Sequence, residues 1–145
     1  MPTFKGEEAQ EYDNRITRLV PGYELLHQLT NAQLQTTLSD DAHILVIGAG
    51  TGKEVLALAK MNPKWQFTAQ DTSSDMLDIA KQRFAEQGID SRVTIECSPV
   101  DKVKAKADAV LCLLVMHFVE DNGNHHIVLQ ILIRVVMHLH NAYVI

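Results

Sequence analysis

The residues of this chain best suited to chemistry are a glycine-rich turn, Gly48-Ala49-Gly50-Thr51-Gly52, and an acid, Asp71, placed 19 residues beyond it. Glycines in such a turn let the backbone bend sharply and approach a ligand with no Cβ in the way. A helix starting behind them offers free N–H groups and partial positive charge. Three glycine-loop chemistries compete for this pattern. A phosphate-binding loop needs four residues between its glycines and a hydroxyl after its lysine, whereas Gly48 lies one residue too close to Gly52-Lys53 and Glu54 holds the hydroxyl's place. A dinucleotide fingerprint needs a third glycine where this chain has Lys53. The compact G-x-G-x-G spacing remains. A carboxylate at the end of the second strand is placed to accept hydrogen bonds from two ribose hydroxyls. Asp71 therefore favours an adenosine-bearing ligand, although NAD sites use the same device. The plainer role for Asp71 is to cap the helix beginning at Ser73-Ser74-Asp75-Met76.

These residues need elements to hold them. The segment 7–20 reads as a helix with apolar positions Ile16, Leu19 and Val20, ended by Pro21-Gly22. A second helix follows, with Tyr23, Leu25, Leu26, Leu29, Leu34 and Leu38 at helical spacing. Beyond it, strands alternate with helices of about a dozen residues. The strands are HILVIG, WQFTAQ, RVTIEC and DAVLCLLVMHF, with Ala142 to Ile145 as the start of a fifth. The helices are Lys53 to Met61, Ser74 to Gln87 and one beginning near His125 after the turn Asp121-Asn122-Gly123-Asn124. Such alternation predicts an α/β fold with a parallel sheet and helices on both faces. Strands covered on both faces should be near-continuously apolar, as Ile44 to Ile47 and Val110 to Val115 are.

VIGAGTGKEVLALAK resembles the first motif of the class I S-adenosylmethionine (SAM)-dependent methyltransferases, and AQDTSSDMLDIAKQRF resembles their second-strand motif. The likeness runs from about Asp41 to His126. It implies a Rossmann-like sheet, incomplete here relative to the family's seven strands, and SAM as cofactor. By that likeness Gly48, Ala49, Gly50 and Gly52 line the methionine part of SAM, Asp71 holds the ribose, and Thr72 and Met76 flank the adenine. Ser98, Pro99 and Val100 stand where the family places an adenine-contacting loop, and Leu113, Leu114 and His117 where it closes the ligand and faces the acceptor. YDNRITRLVPGYELL is similar to the leading segment of the carboxy-SAM synthase group, whose helix folds over the cofactor. Tyr12 and Arg15 are therefore candidate pocket residues. On this basis residues 1–40 form a helical extension covering the site, and 41–145 form the SAM-binding unit. Two departures should weaken SAM affinity: Val46 replaces the common acid two residues before the first glycine, and Ser98-Pro99 replaces a common Asp.

In methyl transfer the cofactor carries the reactive group, and the protein aligns acceptor and methyl. His117 is the best candidate base, near the C-terminal end of the fourth strand, with a strand-end structural histidine as the alternative. His125 with His126, and His138 with His140, lack helical i, i+4 spacing, so no metal site is expected. With a formal charge of −5 there is no overall positive field for nucleic acid, and a small-molecule acceptor is the default. The two cysteines, Cys97 and Cys112, read as reduced core residues, and an N-terminus without an apolar run points to the cytoplasm. The apolar run 127–145 is interrupted by Gln130, Arg134, His138, His140 and Asn141, which argues against a membrane span. It reads as a shortened, frameshifted or fragmentary end whose apolar edge predicts a homodimer. The expected function is methyl transfer from SAM to a small molecule. The alternative is a non-catalytic SAM-fold module that has lost its acceptor lobe.

Overall fold

The computed structural model describes residues 5–115 and the backbone of residues 143–144. Two helices lead, α1 (Glu7–Leu19) and α2 (Tyr23–Thr37). Then come β1 (His43–Ile47), α3 (Lys53–Met61), β2 (Gln66–Asp71), α4 (Ser74–Glu86), β3 (Val93–Cys97), β4 (Ala109–Leu111) and β5 (Tyr143–Val144). The sheet order is β3-β2-β1-β4-β5, and all its pairings are parallel. The order reverses at β1, so the crevice at the C-terminal ends of β1 and β4 is where a parallel sheet of this kind binds ligands.

Parallel register puts Ile44, Phe67 and Ala109 side by side, and likewise Val46, Ala69 and Leu111. This row packs with Leu34 of α2, Val55 and Leu58 of α3, and Ala80 and Phe84 of α4 as one core. The other face carries Leu45, Ile47 and Val110 under Ala107 and Val115, with Val100, Val103 and Ala105 against them. The expected helix after residue 124 lies outside the described residues. α4 begins where the Ser73 hydroxyl accepts the Met76 N–H at 3.3 Å, an N-cap that satisfies one of the helix's free donors. The far end of α3 is closed by Arg92, whose guanidinium donates to the carbonyls of Ala59, Asn62 and Trp65 at 3.0–3.1 Å. A cation at a helix C-terminus also complements the helix dipole.

Several expectations need correction. The buried face of α2 is Tyr23, His27, Thr30 and Leu34, whereas Leu25 and Leu29 are exposed. In α1 the buried residue is Ala9, and Leu19 is exposed. The fourth strand stops at Leu111, not at Phe118: its partner β1 ends at Ile47, and Leu114 takes a left-handed φ of 57° that no strand continues through. Cys97 is exposed at the end of β3, and Cys112 is half-buried; both are free.

Candidate functional site

After Ile47 the chain turns through three glycines with positive φ, and each does a different job. At Gly48 (φ +66°) a Cβ would lie 2.4 Å from Val115 Cγ2, so glycine lets the segment after β4 close on the loop. At Gly52 (φ +80°) a Cβ would lie 2.6 Å from two ring atoms of Phe84, so glycine lets α4 pack beneath. At Gly50 (φ +53°) the nearest contact is the Met76 methyl at 3.7 Å, leaving this position open. The loop is fastened to the end of β2. The Ala49 N–H donates to the Gln70 carbonyl (2.8 Å) and the Gly48 N–H to Gln70 Oε1 (3.2 Å). The buried Asp71 carboxylate completes the fastening: Oδ2 accepts from the Gly50 N–H and Oδ1 from the Ser73 N–H, both at 2.9 Å. Ser73, not Asp71, supplies the side-chain cap of α4.

The leading helices complete the site. Asp13 of α1 accepts from the Thr51 hydroxyl at 2.8 Å and from the Arg83 guanidinium at 2.6 Å, tying α1 to the glycine loop and to α4. The Gly6 N–H donates to Asp75 Oδ2 at 2.8 Å. Lys53 reaches Glu24 at 2.5 Å and lies 4.7 Å above the Tyr23 ring. Tyr23 in turn packs against His27, ring centres 4.4 Å apart, and His27 Nε2 faces Glu54 Oε1 at 3.6 Å.

These elements surround a cleft with about 590 Å³ of empty space, counted out to the open solvent, within the 300–1,000 Å³ range of small-ligand sites. Tyr12 and Asp13 line it from α1, Tyr23 from α2, and residues 48–51 from the loop. Lys53 and Glu54 of α3, Asp71, Met76, and Leu113 to Val115 complete the wall. Glu54 is the most perturbed acid here: burial pushes its carboxyl up to about 7, with the Asp13 and Asp71 charges adding to the rise. Burial, and then the Lys53 charge, hold the His27 ring below its ordinary range, so the 3.6 Å contact joins a carboxyl to a neutral imidazole. Burial raises both Tyr12 and Tyr23, keeping their hydroxyls protonated.

The residues singled out in the sequence therefore divide. Gly48, Ala49, Gly50, Asp71, Met76, Leu113, Leu114 and Tyr12 share the cleft. Gly52 lies behind it against α4. Thr72, Ser98, Pro99 and Val100 lie outside its lining, although Ser98 is joined to Asp71 by a 3.1 Å backbone hydrogen bond. The hydroxyls of Thr72 and Ser98 are buried without a hydrogen-bond partner. Arg15 is exposed on α1 and does not line the cleft; Asp13, two residues earlier, faces the loop instead. His117, the candidate base, lies outside the described residues. Sequence reasoning missed Asp13, Tyr23, Lys53, Glu54 and His27. Only the glycine preceding α3 gave a hint, since it brings the first turn of that helix beside the loop. Among the described residues no cluster of metal-binding side chains occurs, and no helix is long and apolar enough to cross a membrane.

Comparison with known proteins agrees with this geometry. The methyltransferase domain model matches residues 45–140, and the chain belongs to that family. It is 26% identical over 131 residues to a carboxy-S-adenosyl-L-methionine synthase of Ruthia magnifica, covering 88% of this chain and 54% of that protein. It is 39% identical over 66 residues to a release factor glutamine methyltransferase of Streptococcus pneumoniae, covering 46% of this chain and 22% of the relative. The fold matches a SAM-dependent methyltransferase structure from Methanococcus maripaludis with a TM-score of 0.72 at 22% identity, over 93% of this chain and 60% of the other. A Geobacter sulfurreducens methyltransferase solved with S-adenosylhomocysteine matches with a TM-score of 0.61 at 23% identity, over 74% and 42%. The chain thus spans about half the length of the carboxy-SAM synthase it matches.

Proposed function

We propose that this chain binds SAM in the cleft and directs its methyl group to a small-molecule acceptor. The observation that carries the reading is the Asp71 carboxylate bonded to the open glycine of the loop at the sheet's reversal point. Each of its oxygens accepts one N–H and keeps a lone pair, enough for two ribose hydroxyls. Gly50 leaves the space that a Cβ would fill, and the unpartnered Thr72 and Ser98 hydroxyls beside Asp71 suit the polar edge of a base. Lys53, at the position of the third dinucleotide glycine, is engaged with Glu24 and Tyr23, which disfavours NAD.

When bound, the cofactor supplies an electrophilic methyl group. The chain's own residues then bind, orient and exclude water. Asp71 and the loop hold the nucleoside, and Met76 and Leu113 to Val115 supply apolar wall. The α1 and α2 helices close the opposite side, consistent with residues 1–40 acting as a cover over the unit 41–145. His117 is the proposed proton acceptor for an acceptor that needs one. A cytoplasmic location and a homodimer through residues 127–145 complete the proposal; light scattering showing a monodisperse monomer would remove the dimer. Calorimetric titration with SAM, S-adenosylhomocysteine and NAD tests the cofactor reading, which predicts binding of the first two only.

A further inference from the structure

We propose that Glu54, with His27 behind it, is the cleft's binding site for a protonated amino group. The inference rests on the cofactor reading, which offers two sources of that group: the amino acid end of the cofactor, or an amine acceptor.

The argument begins with the charges that line the cleft. Asp13 is matched by Thr51 and Arg83, Asp71 by the Gly50 and Ser73 N–H groups, and Lys53 by Glu24. Glu54 has only its own backbone N–H and the 3.6 Å approach of His27, too long for a hydrogen bond. Its side chain is 14% exposed, and that exposure opens on the cleft. His27 is 9% exposed at its side chain, and its Nε2 is buried without a hydrogen-bond partner. One carboxyl and one imidazole nitrogen thus stand beside an empty space with their bonding capacity unused.

Every element around Glu54 contributes to the balance. Asp13 and Tyr12 face it from α1; Tyr23, Glu24 and His27 from α2; Lys53 from its own helix; Asp71 from β2. Two carboxylates and a carboxyl against one occupied lysine make the wall hostile to an anion and receptive to a cation. A buried carboxylate is costly when unpaired and far less so when a hydrogen-bonding cation meets it. An ammonium donates to Glu54, stabilises its ionised form and turns the imidazole contact into a second hydrogen bond. Because burial pushes the Glu54 carboxyl up to about 7, cation binding at neutral pH releases a fraction of a proton.

The test compares the wild-type protein and Glu54→Gln by calorimetry in two buffers of different ionisation enthalpy. The ligands are S-adenosylhomocysteine, its analogue lacking the α-amino group, and n-propylammonium added to protein both free and saturated with S-adenosylhomocysteine. If the amine belongs to the cofactor, the wild type prefers S-adenosylhomocysteine over the deamino analogue by about 10- to 100-fold. It also releases protons with the former only, and Glu54→Gln brings the two affinities together. If the amine belongs to an acceptor, propylammonium binds the saturated wild type saturably with proton release, and Glu54→Gln abolishes this. Equal affinities in both proteins, with no proton release in either arm, overturn the proposal. Failure of the wild type to bind either nucleoside overturns the cofactor reading instead, and propylammonium on free protein then still tests Glu54. Should Glu54→Gln not fold, the amino preference of the wild type decides: it must strengthen between pH 5.5 and 8.5, and a flat preference overturns the proposal.

Discussion

Replacing Glu54 by Gln should change how stability depends on pH, by an amount the structure sets. Burial raises this carboxyl from 4.5 to about 7 in the folded protein, so the folded state holds the proton more tightly than the unfolded chain. Its contribution is fully present below pH 4.5 and is lost as pH rises through about 7. The span of about 2.5 units at 1.36 kcal/mol each corresponds to roughly 3 kcal/mol. His27 works in the opposite direction: its lowered value means stability is lost as pH falls below 6.5. Wild type therefore balances two opposed slopes, and Glu54→Gln leaves only the rising one. The difference between variant and wild type isolates Glu54. It should grow by roughly 3 kcal/mol in the variant's favour from pH 5 to pH 8, on the order of 10 °C in melting midpoint for a domain of this size. Thermal and urea unfolding of both proteins across that range supply the measurement. Parallel pH profiles would refute the reasoning, because they would mean Glu54 is not desolvated beside His27.

The three glycines make separable predictions. Gly52→Ala should cost about 3 kcal/mol or more by forcing a Cβ into Phe84 at a left-handed φ, whereas Gly50→Ala should cost about 1 kcal/mol and still abolish nucleoside binding; unfolding and titration of both variants separate the effects. Asp71→Asn should lower stability by about 1–2 kcal/mol as well as affinity, since one carboxylate oxygen that serves the Gly50 or Ser73 N–H becomes a donor. Weakened binding at unchanged stability would show that the fastening is unimportant. Arg83→Ala, which frees Asp13, should cost only about 1 kcal/mol because both partners are partly exposed. It should nonetheless speed proteolysis within α1 ahead of the sheet, and equal cleavage rates in both proteins would contradict a clamped α1.

What the sequence could reveal followed from how strongly each residue is constrained locally. Gly48, Gly50 and Gly52 announce themselves because no other residue suits their backbone, and Asp71 because it ends an apolar strand. Strands β1 to β3 and helices α3 and α4 fall within a residue or two of the expected limits for the same reason. The face of α2 was misread because leucines outnumber His27 and Thr30 there, yet tertiary packing buries the polar pair and leaves Leu25 and Leu29 exposed. β4 was read too long because the run 110–115 stays apolar after its hydrogen-bonded partner has ended. The partners Asp13–Arg83 and His27–Glu54 are 70 and 27 positions apart, and no local pattern links them.

The account's central claim is that the cleft between the glycine loop, Asp71 and the leading helices is a SAM site. Calorimetric titration of the purified chain with S-adenosylhomocysteine, alongside Gly50→Ala, tests it most directly. The account predicts a saturable one-to-one isotherm for the wild type and none for Gly50→Ala, with both proteins folded. A folded wild type that binds neither S-adenosylhomocysteine nor SAM would contradict it.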